Sequence, residues 1–219
     1  MSPGKKLRVL VLASGRGSNL QTLLDAVVEP DYPAEISGVF SDKSDAQALE
    51  RARKAGVPAV WIDPAGEDYE DRLAAEIEAV GCDLICCAGY MKILSPAFVA
   101  RFPDKIINIH PSLLPSFPGL HGQKKALRAG VRVTGCTVHF IDEGVDTGPI
   151  ILQAAVPVLP EDTEETLSAR ILWFEHRIYP LAVRLIAGGR VHREGTRVRL
   201  SGVEVNQEGG FISPPINIL

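Results

Sequence analysis

Residues 7–28 read LRVLVLASGRGSNLQTLLDAVV, which is a short apolar run, a glycine-containing turn and an amphipathic helix in that order. The run Leu7–Ala13 is aliphatic and β-branched apart from Arg8, and it predicts a buried strand. After the turn, five apolar residues recur at helical spacing and share one face: Leu20, Leu23, Leu24, Val27 and Val28. A strand that leads directly into a helix is the first half of a βαβ unit.

The same alternation of apolar runs and helical patterns continues to residue 109. Four further strands are predicted, at Ile36–Phe40, Ala59–Ile62, Leu84–Ala88 and Ile106–Ile109. Helical patterns lie between them, at Ala46–Ala55, at about Tyr69–Val80 and after Ser95-Pro96. Strands separated by such helices indicate a parallel sheet, and strands that are apolar throughout are covered on both faces. We therefore predict an α/β fold with a Rossmann-like, open, mostly parallel twisted sheet and helices on both faces.

The pattern changes after residue 110. The segment His110–Gly122 contains three prolines and two glycines and predicts a loop. Strands are expected at Gly135–Ile141 and Ile150–Val156, joined by an acidic turn at 142–148.

One long helix is expected at Thr163–Ala187, where Asp162 and Glu165 have the spacing of a capping box. The tail from about Val191 alternates weakly and predicts a hairpin. Since no interdomain linker is visible, residues 1–219 are expected to form one domain.

Composition and charge argue against several function classes. The chain has 46% hydrophobic residues and a net charge of −4, without the concentrated basic surface that nucleic acids or membranes require. The longest apolar stretch, Leu84–Leu94, is too short to span a bilayer. No cysteine pair has CxxC spacing and no histidines have HxxxH spacing, so free thiols and no metal are expected. We expect a soluble cytoplasmic protein with no nucleic-acid or membrane partner.

The turn Ser14-Gly15-Arg16-Gly17-Ser18-Asn19 is the first candidate binding site. Backbone amides at a helix N-terminus bind phosphate, and glycines allow a ligand to approach closely. Leu20 occupies the third glycine position of a dinucleotide fingerprint, and no Gly-Lys-Ser/Thr follows, so a monophosphate is the better candidate. An ordinary strand-to-helix turn explains the pattern equally well.

Asn108 and His110 are the second candidate site, at the carboxyl end of a predicted strand. Residues two apart on a strand face the same side, so both side chains are expected to point together towards solvent. An amide and an imidazole can hold and protonate an oxygen derived from a carbonyl group. For an isolated Asn-x-His, a polar pair at the start of a loop is the simpler explanation.

Other polar residues have weaker support. Asp146 lies in a glycine- and proline-rich turn, and next to an imidazole its charge would raise the histidine pKa, although an Asx turn is the commoner role. His121 and His139 could line the same pocket or be structural histidines. Glu175 borders the apolar stripe of its helix, which indicates either a salt bridge or a ligand contact.

Together these segments resemble the folate-dependent formyltransferase family from Leu7 to about Gly189. The most specific segment is residues 108–121, NIHPSLLPSFPGLH, together with Asp146-Thr147-Gly148-Pro149. The turn Gly15–Asn19 is similar to the branch whose acceptor is glycinamide ribonucleotide. Two positions depart from the family pattern. Lys92 stands where members often have arginine, and Pro64–Tyr69 lacks an arginine that some members use to bind folate.

The resemblance implies a formyltransferase fold with a nucleotide-binding N-terminal half and a folate-binding C-terminal half. It assigns catalysis to Asn108, His110 and Asp146. It assigns ribonucleotide binding to Gly17, Ser18, Asn19 and Glu175. It assigns folate binding to Met91, Lys92, Ile93, Leu94, Asn108, Asp142, Glu143, Gly144, Val145 and Asp146.

The implied activity moves the formyl group of 10-formyltetrahydrofolate to the amine of N1-(5-phospho-D-ribosyl)glycinamide, in de novo purine (IMP) biosynthesis. The products would be the formylglycinamide ribonucleotide and tetrahydrofolate. Asn108 and protonated His110 would stabilise an oxyanion, and Asp146 would keep His110 charged. Folate would be a co-substrate, with no permanently bound cofactor and no metal, and the resemblance allows a homodimer. The alternatives are a formyltetrahydrofolate hydrolase and a non-catalytic nucleotide-binding module.

Overall fold

A computed structural model describes residues 5–203 and 212–213 of the 219-residue chain. Its strands are β1 Leu7–Leu12, β2 Ala34–Ser41, β3 Ala59–Trp61, β4 Leu84–Cys87, β5 Ile106–His110, β6 Val133–Phe140, β7 Ile150–Pro157, β8 Val191–Glu194, β9 Arg197–Leu200 and β10 Ile212–Ser213. Its helices are α1 Ser18–Val27, α2 Gln47–Lys54, α3 Tyr69–Val80, α4 Pro96–Arg101, α5 Gly122–Ala129 and α6 Glu164–Ala187. The chain forms two compact units, Met1–Ile107 and Asn108–Leu219.

The first unit is built around β1. This strand pairs in parallel with β2 on one side and with β4 on the other, and β3 pairs in parallel with β2. Residues Val9–Leu12 of β1 are completely buried, as expected for a strand covered on both faces. Helix α2 packs against β2 and β3, and α1 packs against β2. The parallel α/β arrangement predicted from residues 7–109 is confirmed.

The second unit contains antiparallel strands. β6 pairs with β7 in an antiparallel register that places Cys136 opposite Ala154. Helix α6 packs against both strands. β8 and β9 form a separate antiparallel pair, which confirms the hairpin predicted for the tail. Whether residues 1–219 act as one domain stays a prediction.

The N-terminus of α6 differs from the expected capping box by one residue. Thr163 is the N-cap, and it exchanges hydrogen bonds with Thr166, each side chain accepting from the other residue's backbone N–H. Asp162 is unavailable as a cap because it pairs with the Arg170 guanidinium at 2.6 Å. That pairing also holds the pKa of Asp162 well below its usual range.

None of the four cysteines, which all lie among the described residues, forms a disulfide, and Cys86, Cys87 and Cys136 are buried. Among residues 5–203 and 212–213, no helix is long and apolar enough to cross a bilayer.

Gly135 of β6 allows β7 to approach closely, and this contact yields a stability prediction. A Cβ at this position would lie 1.9 Å from the Ala154 carbonyl oxygen, so Gly135→Ala must separate the two strands. We expect the free energy of unfolding in urea to fall by about 3 kcal/mol. Gly38→Ala in β2 is the matched control, because its Cβ would meet no atom nearer than 3.5 Å. Equal stability of the two variants would contradict the prediction.

Candidate active site

The carboxyl end of β5 presents Asn108 and His110 on the same side of the strand. Asn108 is half-buried, but only 5% of His110 is exposed. The expectation that both side chains face solvent is therefore wrong for His110. The loop after β5 turns back over the imidazole, and the Phe117 carbonyl oxygen lies 3.1 Å from His110 Nε2.

Polar side chains of β6 and β7 hold this loop in place. Thr137 Oγ1 donates to the Ser112 carbonyl at 2.7 Å and accepts from Leu114 N–H at 3.1 Å. Gln153 Nε2 donates to the Leu114 carbonyl at 2.8 Å. Ser112 Oγ closes the turn by donating to the Ser116 carbonyl at 2.6 Å. The loop therefore has a fixed conformation, and the position of the Phe117 carbonyl follows from it.

His110 faces an oxygen atom at each ring nitrogen. Nε2 faces the Phe117 carbonyl, and Nδ1 lies 3.2 Å from Asp146 Oδ2. Only the doubly protonated ring can donate at both contacts. Burial nevertheless lowers the pKa of His110 below its ordinary value, although the Asp146 charge and the Phe117 carbonyl act in the opposite direction. Asp146 thus has the expected sign of effect, but it does not raise the pKa above the ordinary value, because burial of the ring outweighs it.

Asp146 connects the loop to the histidines. It adopts a left-handed backbone conformation with φ of 55°, and its Oδ2 accepts a hydrogen bond from Gly119 N–H at 2.7 Å. Burial by itself would raise the pKa of Asp146, but the contacts with His139, Gly119 and His110 outweigh it and lower the pKa to about 2. The carboxylate is therefore ionised at any physiological pH.

His139, for which the sequence left open a place in the pocket or a structural role, belongs to the same cluster. Its Nδ1 donates to the Phe140 carbonyl at 2.8 Å. Nε2 lies 3.4 Å from Asn108 Nδ2 and 3.6 Å from Asp146 Oδ1. The contact with His139 orients the Asn108 amide and leaves the second N–H hydrogen of that amide available for another acceptor. A sequence alone could not choose between the two roles, because it does not reveal which residues of β6 face Asn108.

The glycine turn of the first unit caps α1 and is held by α2. Gly17 is the N-cap of α1 with φ of 67°, and a Cβ there would lie 2.9 Å from Ala48 of α2. Ala48 N–H donates to the Gly15 carbonyl at 3.1 Å. Gly15 itself has no atom within 4 Å of its Cβ position. Ser18 and Asn19 begin the helix, where the first backbone amides have no partner within the helix.

The residues assigned to folate lie in two irregular segments, one in each unit. In the first unit, Met91 and Ile93 are 58% and 77% exposed, Lys92 Nζ lies 4.5 Å from the centre of the Tyr69 ring, and Leu94 is buried.

In the second unit, Asp142 Oδ1 accepts from Gly144 N–H and from Thr147 Oγ1. Asp142 therefore makes the Asx-type turn and leaves Asp146 for the histidines. Glu143, Gly144 and Val145 are exposed at its tip.

Glu175, assigned to the ribonucleotide, is buried on α6 with 7% exposure. Its charge adds to burial in raising the pKa of the Cys136 thiol on β6. Within the described ranges, 5–203 and 212–213, no group of three or more His, Cys, Asp or Glu residues could hold a metal ion.

Comparison with known proteins gives consistent matches. Residues 7–183 match the family model described as formyl transferase. The chain is 41% identical over 207 residues to phosphoribosylglycinamide formyltransferase of Escherichia coli, covering 93% of this chain and 98% of that one. It is 52% identical over 192 residues to the trifunctional purine biosynthetic protein adenosine-3 of Drosophila pseudoobscura, covering 85% of this chain but only 14% of that protein.

A solved structure is also similar over most of its length. The crystal structure of glycinamide ribonucleotide transformylase 1 from Symbiobacterium toebii superimposes with a TM-score of 0.87 at 53% sequence identity. The alignment covers 90% of this chain and 95% of the other. The predicted fold class is therefore confirmed over most of the chain.

The electrostatic link between Asp146 and His110 can be tested by Asp146→Asn, which keeps the shape and removes the charge. Since the Asp146 charge raises the pKa of His110 against the effect of burial, its loss should lower the histidine pKa further. Titration of His110 by NMR in both proteins measures this shift. Asp162→Asn is the matched control, since Asp162 pairs with Arg170 and its loss should leave His110 unchanged. An unaltered His110 pKa in Asp146→Asn would mean that Asp146 only anchors Gly119.

Proposed function

The chain belongs to the formyl transferase family, and we propose that it transfers the formyl group of 10-formyltetrahydrofolate to the amine of N1-(5-phospho-D-ribosyl)glycinamide. The products are the formylglycinamide ribonucleotide and tetrahydrofolate, in de novo purine (IMP) biosynthesis. The observation that carries the proposal is the chain of contacts that runs from Asn108 to His139, from His139 to Asp146 and from Asp146 to His110. We expect the reaction in the cytoplasm, since free thiols are usual in a reducing compartment.

The glycine turn is the proposed site for the acceptor's phosphate. Gly17, Ser18 and Asn19 lie at the N-terminus of α1, where backbone amides and the helix dipole favour an anion. The absence of neighbours around the Cβ position of Gly15 leaves room for the phosphate oxygens. Glu175 is proposed to contact the same substrate.

Folate is proposed to bind as a co-substrate rather than as a resident cofactor. Met91–Leu94 is proposed to contact its pterin ring, and so is Asp142–Asp146. The exposed apolar side chains of Met91, Ile93 and Val145 are suited to the faces of a flat ring. Asn108 would contact the same ligand through its free amide hydrogen.

In the proposed reaction, the amine attacks the formyl carbon and a tetrahedral intermediate with an oxyanion forms. The second N–H of Asn108 stabilises the oxyanion, and so does the His110 ring once it has taken up a proton. The amine loses a proton, and N10 of the folate gains one as its bond to the formyl carbon breaks. A histidine with a lowered pKa can accept the first proton and supply the second, while Asp146 stabilises the charged ring between the two steps.

Substitutions at Asn108 and His110 test this mechanism. Asn108→Ala removes an oxyanion donor and should lower kcat about 10²–10³-fold. His110→Asn should lower it about 10²–10⁴-fold through lost proton transfer, and it fills more of the buried site than alanine would. Steady-state kinetics measure both effects, and thermal unfolding checks the fold. His192→Asn in β8 is the control substitution of a histidine outside the site, and the kcat of this variant should equal that of the wild type. Near-normal turnover of His110→Asn would exclude this mechanism.

Acceptor dependence separates the transferase from a formyltetrahydrofolate hydrolase that would use the same cluster. We expect tetrahydrofolate to form only when glycinamide ribonucleotide is present, as followed by absorbance. Gly15→Val should weaken ribonucleotide binding far more than tetrahydrofolate binding, because its side chain projects into open space. Gly17→Val is unsuitable, since its side chain would strike Ala48. Ser18→Ala should weaken ribonucleotide binding only slightly, because backbone amides make most of the hydrogen bonds to the phosphate. Rapid discharge of folate without acceptor would favour the hydrolase.

A further inference from the structure

Ser14, at the end of β1, contacts the turn that follows β4. Its N–H donates to the Gly89 carbonyl at 3.1 Å, and its Oγ accepts from Met91 N–H at 2.9 Å. One residue therefore holds both ends of the Gly89–Met91 turn. Ser14 also directly precedes Gly15, so the same residue belongs to the glycine turn at the start of α1.

The other side of this segment is held by the first residues of α3. The hydroxyl groups of Tyr69 and Tyr90 form a hydrogen bond, and the Lys92 ammonium lies over the Tyr69 ring. Glu70 accepts hydrogen bonds from the backbone N–H and the hydroxyl of Ser95. Three residues of the segment Gly89–Ser95 therefore contact α3, namely Tyr90, Lys92 and Ser95. Ser14 connects the same segment to the glycine turn.

We propose that Ser14 is a positioning residue that couples ribonucleotide binding to folate binding. Ser14 lies in the loop that holds the phosphate, and it also fixes the conformation of the Gly89–Met91 turn. The affinity for folate depends on that conformation. This inference rests on the proposed function, because that function assigns Gly17–Asn19 to the ribonucleotide and Met91–Leu94 to the folate.

The physical basis is the single oxygen atom that Ser14 contributes. Its Oγ accepts from Met91, while its own hydrogen has no acceptor among the residues that the structure describes. When a bound anion orders the glycine turn and accepts that hydrogen, Oγ becomes a stronger acceptor for Met91 N–H. The turn that presents Met91 is then held more tightly. Because linkage is reciprocal, bound folate must strengthen ribonucleotide binding by the same factor.

Calorimetry with tetrahydrofolate and glycinamide ribonucleotide tests this directly, since the pair carries no formyl group and cannot react. In the wild type, saturating ribonucleotide should tighten tetrahydrofolate binding. Ser14→Ala removes the acceptor for Met91 N–H, so tetrahydrofolate should bind about 3- to 10-fold more weakly, the equivalent of one hydrogen bond. The tightening by ribonucleotide should be lost. The affinity for ribonucleotide alone should also fall, because alanine cannot donate a hydrogen bond to the bound anion.

Two further variants separate positioning from a general loss of structure. Ser14→Thr keeps the hydroxyl and should restore both the affinity for tetrahydrofolate and the coupling. Ser18→Ala, a serine of the same loop without a contact to Gly89 or Met91, should leave the coupling intact. The inference is overturned if Ser14→Ala retains wild-type tetrahydrofolate affinity and coupling, or if Ser14→Thr fails to restore the coupling. A wild-type protein that binds neither ligand would overturn the proposed function itself.

Discussion

The Asp146 carboxylate is the group on which the arrangement of the second unit depends. It accepts a hydrogen bond from Gly119 N–H, lies 3.2 Å from His110 Nδ1, and is 3.6 Å from His139 Nε2. Only 12% of the Asp146 side chain is exposed, and a charge that is largely removed from water remains ionised only where such contacts replace its hydration. The pKa of about 2 shows that they do. The same contacts fix the end of the loop over His110, so the position of the loop and the charge of the site have one cause.

Burial and charge act on His110 in opposite directions, and burial is the larger effect in the unliganded site. Because the folded-state pKa is lowered, stability should decrease as pH falls from the pKa of the unfolded chain towards that of the folded one. The Asp146 carboxylate also makes stability depend on pH. Because its pKa is lowered in the folded state, it stabilises the fold at any pH above the pKa of the unfolded chain's aspartate, and this contribution is lost only at strongly acidic pH. The site therefore holds an ionised carboxylate beside a ring that gives up its proton easily.

The sequence specified the first unit well and the site less completely. The apolar run, glycine turn and helical stripe of residues 7–28 are local patterns, and they formed as predicted except at Val28, which follows the end of α1 and is 80% exposed. Helix α5 was not predicted, because GQKKALRA contains only three apolar residues, all small or isolated. The burial of His110 also escaped prediction. It depends on the hydrogen bonds that Leu114 makes with Thr137, as donor, and with Gln153, as acceptor, which lie 23 and 39 residues away along the chain.

The choice between the two aspartates of the acidic turn shows why such sites need tertiary information. By sequence, Asp142 and Asp146 are both suited to an Asx turn. Asp142 takes that role through Gly144 and Thr147, and Asp146 then adopts a left-handed conformation that directs its carboxylate to the histidines. Such a conformation costs a non-glycine residue on the order of 1 kcal/mol. This strained backbone directs the Asp146 charge at an imidazole. A site that is preorganised for a developing oxyanion requires such a fixed charge.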